Sequence, residues 1–330
     1  MPALCRAVLA CVLAAPLALH AAGCTEPAPD PNNTYDAART YPKQVRNYPF
    51  IRIAADAVPA DVRVVRDQTY VRYGSRCLQL DLYLPARAPR QAIPVVVLVH
   101  GGGWNAGYRA EFAPMALRLA QRGYAAATIA YRLSGEAGYP AAVNDARAAV
   151  RWVRSHAVRY GIDPRKIALA GGSAGAQIAS LAGLTANLHP IDPHAASHPV
   201  SSAVQAIVNV DGVVDFTTEQ SRRHDTDPAN KPSPAALWLG GRYANNARVW
   251  HEASPIRYVR RGMPPMLFIG SAQARFQSGR DEMVSIMRAR GAVARVVLLP
   301  DTPHTFWLFD PWLQPTVDAT VDFLDAALGR

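Results

Sequence analysis

The chain has 330 residues, half of them hydrophobic and 18% charged, with a formal net charge of +10. Apolar content at that level offsets the chain entropy lost on folding; it excludes wholesale disorder and suits one large α/β domain or two small ones. The positive excess is spread as scattered arginines with no long Lys/Arg block, so nucleic acid is not an expected partner.

The first residues read as an export signal. Arg6 is the only charge before Glu26, and Ala7 to Leu19 is an apolar run too short to span a bilayer. The segment closes on Ala21-Ala22-Gly23-Cys24, which resembles a bacterial lipobox, with alanine at position 21 where leucine is most usual. The expectation is a lipoprotein-type signal peptide over 1–23, lipid on Cys24, and a membrane-anchored protein facing the periplasm or exterior. A plain secretory signal giving a soluble exported protein is the alternative. Cys5 and Cys11 leave with the signal and Cys24 takes the lipid, so only Cys77 stays in the body and no disulfide is expected. Residues 24–61, with Pro27, Pro29, Pro31, Pro42 and Pro49, read as a linker.

The folded domain is expected over 62–330. Gln68–Tyr73 and Cys77–Leu84 alternate apolar with polar around Gly74-Ser75, as in an antiparallel hairpin. Ile93–Val99 is a continuous apolar run that fits a strand buried on both faces. A helix over Glu111–Arg122, a strand over Tyr124–Tyr131 and a long helix over Pro140–Tyr160 follow. A second buried strand spans Ile167–Ala170, with a helix starting after Ser173. Later strands are Val204–Val210, Met266–Ile269 and Val293–Leu299, and the last helix is Gln314–Leu328. Buried strands separated by amphipathic helices predict an α/β fold with a mostly parallel sheet. The stretches 186–202 and 217–250 break this rhythm and read as lid or rim segments.

Two motifs carry chemistry. Gly171-Gly172-Ser173-Ala174-Gly175 fits G-x-S-x-G, with a buried strand leading into it and a helix leaving it. That turn lifts a serine hydroxyl above the sheet at a helix N-terminus, where negative charge is favoured. His100-Gly101-Gly102-Gly103-Trp104 ends the strand from Ile93, and its glycines leave backbone N–H groups open to a substrate oxygen.

Together with Tyr131-Arg132-Leu133, these motifs resemble the carboxylesterase and feruloyl-esterase-like branch of the α/β-hydrolases, related to hormone-sensitive-lipase-type esterases, over residues 65 to 328. The resemblance implies an eight-stranded α/β-hydrolase fold. It implies ester hydrolysis by a Ser-His-acid triad without metal or organic cofactor. The oxyanion hole would be the amides of Gly102, Gly103 and Ala174. Ser173 is then the nucleophile and His304, following the last strand, the base. The acid departs from the family pattern, because the turn Gly270-Ser271-Ala272-Gln273 has glutamine where the carboxylate is usual. Asp281 is the first candidate, with Asp215 and Asp301 as alternatives.

Trp104 and Trp307 are candidate substrate-binding aromatics, though Phe306 and Trp307 equally suit plugging the sheet edge. An exported esterase of this kind would act on acetyl, methyl or feruloyl esters of polysaccharide, or on small esters. A non-catalytic binding protein on the same scaffold, or a peptidase, are the competing readings.

Overall fold

The computed structural model describes residues 24–27, 33, 35–186, 188 and 199–330. The expected signal peptide, His189, His194, His198 and most of 186–202 lie outside these residues.

The chain enters through α1 (Ala37–Gln44) and a short β1 (Arg52–Ile53), then runs through the hairpin of β2 (Val62–Tyr73) and β3 (Arg76–Pro85) into β4 (Ile93–Val99). After α2 (Ala113–Gln121) and β5 (Ala125–Ile129) comes α3 (Ala141–Tyr160), which stops where Gly161 takes a φ of +69°. Then follow β6 (Ile162–Gly172), α4 (Ala174–Thr185) and β7 (Ala206–Val210). The rim holds α5 (Glu219–Arg222), α6 (Pro234–Trp238) and α7 (Tyr243–Glu252). The chain closes with β8 (Met266–Gly270), α8 (Arg280–Ala289), β9 (Ala294–Leu298), β10 (Phe309–Asp310) and α9 (Leu313–Leu328).

Among the described residues, eight strands form one sheet in the order β2-β3-β5-β4-β6-β7-β8-β9, parallel from β5 through β9 and antiparallel at the β2–β3–β5 edge. This is the mostly parallel α/β sheet expected from the strand and helix pattern, with the eight strands of the α/β-hydrolase fold that the resemblance implies. The period-2 alternation of β4 explains its continuous apolar run. Val95, Val97 and Val99 face a core shared with α3 and α4, whereas Val96 and Leu98 face a core shared with α2 and α9. Each fully buried aliphatic of this kind stabilises the fold by about 1.5–3 kcal/mol.

The N-terminal segment departs from expectation. Cys24 and Cys77 form a disulfide, with Cα atoms 5.4 Å apart. The disulfide engages the sulfur expected to take lipid, so the two fates of Cys24 compete, and Cys77 is not a lone core thiol. The described residues of the expected linker are packed on the body instead. Thr25 bridges to Arg76, β1 pairs with β10, and Tyr48 and Phe50 meet Trp312 edge-on at 5.0 and 5.6 Å. The aromatic residues between the prolines anchor the segment, which a count of prolines alone does not reveal.

Candidate active site

The site grows from two neighbouring strand ends. In the parallel β6–β7 pair Gly172 is opposite Val210, so the next residues, Ser173 and Asp211, stand side by side at the C-terminal edge. Both hold a positive φ, +54° and +53°, unfavourable for non-glycine residues and sustained by surrounding bonds. The Ser173 N–H donates to the Val210 carbonyl at 2.9 Å, and the Asp211 N–H to the Ile269 carbonyl at 2.8 Å. Gly175 permits the tight turn, since a Cβ there would lie 2.1 Å from the Val99 carbonyl oxygen.

His304 joins the two. Its Nε2 lies 2.8 Å from Ser173 Oγ, and its Nδ1 lies 2.7 Å from Asp211 Oδ2. A carboxylate accepts only, so Asp211 assigns the proton to Nδ1 and leaves Nε2 to accept from the serine hydroxyl. The carboxylate is itself fixed by Ser271, whose N–H donates to Oδ1 at 3.0 Å and whose Oγ–H donates to Oδ2 at 2.6 Å. Asn209 braces the turn by accepting from the Gly212 N–H at 2.9 Å. Burial pushes the His304 imidazole below its ordinary range; the bond and charge of Asp211 pull it upward, and Arg275 lowers it further.

Asp281, the first choice for the acid, is not at the site. It opens α8, its side chain is 84% exposed, and it pairs with neighbouring Arg280 at 2.8 Å. Asp215 accepts from the Thr217 N–H and hydroxyl, both at 2.7 Å, and serves a turn. Asp301 is an exposed turn residue with φ +57°. Asp215 does follow the strand β7, but the carboxylate against His304 is the first residue after that strand, Asp211.

Gly103 and Ala174 line one cleft with Ser173, of about 280 Å³, and Ala174 opens α4, whose first-turn N–H groups have no helical partner. Gly102 is not among the lining residues. Its φ of +108° and the closeness of the Ala106 carbonyl, 2.2 Å from where a Cβ would sit, shape the glycine turn. His100 is buried behind that turn, stacked on Tyr131 at 4.2 Å, with Nδ1 2.8 Å from the Gly101 carbonyl; burial pushes it down to about 4. It is a neutral strut, and Tyr131 donates its hydroxyl to the His100 carbonyl at 3.1 Å.

Trp104 is a cleft wall, stacked on Trp238 at 5.1 Å and held by its Nε1–H to Gln177 at 3.1 Å. Trp307 is not a substrate contact: it is 2% exposed and supports His304 edge-on at 5.4 Å. The rim segment 217–250 supplies Gln220, Ser221 and Ser233–Ala235 to the cleft. Phe276, stacked on His304 at 3.2 Å, and Arg275 beside it were not singled out from sequence.

The N-terminal segment supports the glycine turn from outside. Asn33 accepts from the Gly107 N–H at 2.9 Å, and the Tyr35 hydroxyl lies 2.9 Å from the place of a Cβ on Gly101. Glu26 pairs with Arg109, accepts from the Tyr108 hydroxyl at 3.1 Å and from the Gln79 N–H at 3.1 Å.

Among the described residues no group of three His, Cys, Asp or Glu side chains could hold a metal ion, and no helix is long and apolar enough to cross a membrane.

The BD-FAE family profile matches residues 80–290, more than half of the chain. Esterase LipQ of Mycobacterium tuberculosis is 31% identical over 78% of this chain and 61% of its own length. The chain spans 61% and 56% of the lengths of LipQ and of the probable carboxylic ester hydrolase LipM from the same organism. Among solved structures, propionate-bound esterase Est2 of Thermogutta terrifontis aligns with a TM-score of 0.63 and 25% identity, over 80% of this chain and 94% of that one. A bifunctional GH43-CE protein of Bacteroides eggerthii aligns with a TM-score of 0.66 and 27% identity, over 80% of this chain and 38% of that one. With an elbow serine at the end of β6 and a family profile running from β3 through α8, this chain belongs to the BD-FAE family of α/β-hydrolases.

Proposed function

We propose that this chain hydrolyses carboxylic esters, with Ser173 as nucleophile, His304 as general base and acid, and Asp211 as the carboxylate that orients His304. The observation that carries this reading is the unbroken relay from Ser173 Oγ to His304 Nε2 at 2.8 Å and from His304 Nδ1 to Asp211 Oδ2 at 2.7 Å. Ser173 Oγ attacks the ester carbonyl carbon as Nε2 takes the hydroxyl proton. The amides of Gly103 and Ala174 hold the tetrahedral oxyanion at the start of α4, where the helix dipole favours negative charge. His304 returns the proton to the leaving alcohol as the carbon–oxygen bond breaks. Water, deprotonated by the same Nε2, then releases the acid from Ser173.

Acetyl, methyl or feruloyl esters of polysaccharide, or small esters, are the substrates of this reading. A cleft of about 280 Å³ with Trp104, Phe216 and Phe276 in its walls supports it, as does the resemblance to esterases and to the bifunctional GH43-CE protein. The Cys24–Cys77 disulfide supports export to an oxidising compartment, without lipid on Cys24. Glutamine at position 273 lends no weight to the binding-protein reading, because Asp211 stands against His304 Nδ1 in this reading.

The test is labelling of the mature protein by a fluorophosphonate probe, beside Ser173→Ala, His304→Ala and Asp211→Asn. Labelling abolished in the first and strongly slowed in the others is expected. A folded wild-type protein that stays unlabelled and turns over no activated ester overturns the reading.

A further inference from the structure

The cleft wall contains one uncompensated cation. Arg275 lies in the wall with its guanidinium carbon 4.4 Å above the Phe276 ring, and Phe276 in turn stacks on His304. The order is guanidinium, phenyl ring, imidazole. Among the described residues Arg275 makes no ion pair, and it is exposed. Asp211 is the acid in the cleft lining, and its oxygens are engaged by His304 and Ser271. A lone arginine beside a reaction centre matches a planar oxyanion carried by the substrate.

The reaction geometry says which half of the ester carries it. His304 Nε2 must reach the leaving oxygen, so the alcohol half lies against His304 and the two side chains layered beyond it. The carbonyl oxygen points the other way, to Gly103 and Ala174. We infer that the preferred ester has a carboxylate on its alcohol half, bound by the Arg275 guanidinium. This inference rests on the reading of Ser173 as nucleophile and narrows its substrate to esters of acidic alcohols, such as sugars bearing a uronate carboxyl.

A matched pair of acetyl esters tests it: 4-acetoxybenzoate, anionic on the alcohol half, and neutral 4-acetoxybenzamide, each corrected for its hydroxide rate. The ratio of kcat/KM, anionic over neutral, is expected at about ten in wild type at low salt, since the contact is partly exposed. It should fall toward one as salt rises. Arg275→Gln should bring the ratio to about one, and Arg275→Glu should push it below one. Fluorophosphonate labelling of every variant reports separately whether Ser173 is activated. Labelling with a wild-type ratio of one overturns the inference and leaves the esterase reading intact. A ratio retained in Arg275→Gln also overturns it, because an arginine that only tunes His304 moves both esters together. Absence of labelling and of all turnover removes both readings.

Discussion

Asp211 Oδ2 stands 2.7 Å from His304 Nδ1, across 93 residues of sequence, because β7 delivers the aspartate beside the serine-bearing turn and the loop after β9 folds back over both. The contact gives His304 one defined tautomer, and the consequences can be measured.

Replacing Asp211 by asparagine keeps the shape but lets the ring take the wrong tautomer. We expect kcat to fall by about 10⁴-fold. Asp281→Asn, at an exposed helix start, should stay within about twofold of wild type. Steady-state hydrolysis of 4-nitrophenyl acetate by the two variants decides between the carboxylates; equal loss in both would contradict the assignment.

Ser271→Ala removes the 2.6 Å hydroxyl bond to Asp211 while leaving the backbone N–H bond in place. A charge-assisted bond of this kind corresponds to about 10- to 100-fold. The loss should be in kcat with KM little moved, since Ser271 acts through the position of Asp211. A change confined to KM would argue against that role.

The pH profile follows from the lowered His304. Its neutral form is the base, so activity is full above its pKa and is lost as pH falls through it. The acid limb of kcat/KM should therefore lie below the free-histidine value of about 6.5. The same depression means that the unfolded chain takes up the proton first. Stability contributed by the buried neutral ring is complete above about 6.5 and declines as pH falls toward the lower folded value. His100, held near 4 by burial, adds to the loss between about 6.5 and about 4. Rate profiles and thermal melts across this window would show an acid limb at or above 6.5 if the assignment were wrong.

Cys24→Ser opens a 53-residue cross-link, for which the chain-entropy relation gives about 4 kcal/mol. We expect a lower Tm, matched by adding reductant to wild type and absent when reductant is added to the variant. Asn33→Ala removes the acceptor for the Gly107 N–H and should lower kcat by about tenfold without changing the disulfide. Unchanged melting of Cys24→Ser would show that the segment is not fastened in solution.

Local signals made much of this protein legible. The β4 run, the glycine at the end of α3, the serine turn and the histidine after the last strand each depend on neighbouring residues, and sequence carries those directly. The acid did not yield, although Asn209-Val210-Asp211-Gly212 offered a signal: an aspartate at the carboxyl end of a buried strand, followed by glycine. Ligand and catalytic groups gather at such ends in parallel sheets. Choosing it required knowing that β6 and β7 are adjacent and in which register. Trp307 stayed open between two roles for a related reason, since the direction a side chain takes from a short turn is set by what packs against it. The N-terminal segment was misjudged because its fasteners, Cys24 to Cys77 and Glu26 to Arg109, are long-range pairs.

Those fasteners tie the site to the redox state of its surroundings: Cys24 is held to Cys77 at the sheet edge, and Glu26, two residues on, to Arg109 beside the glycine turn. In a reducing cytosol the sulfurs stay apart and the turn lacks its outer brace. Turnover should then be weak under reductant and recover when the sulfurs are oxidised; equal turnover by reduced and oxidised protein would dismiss the idea.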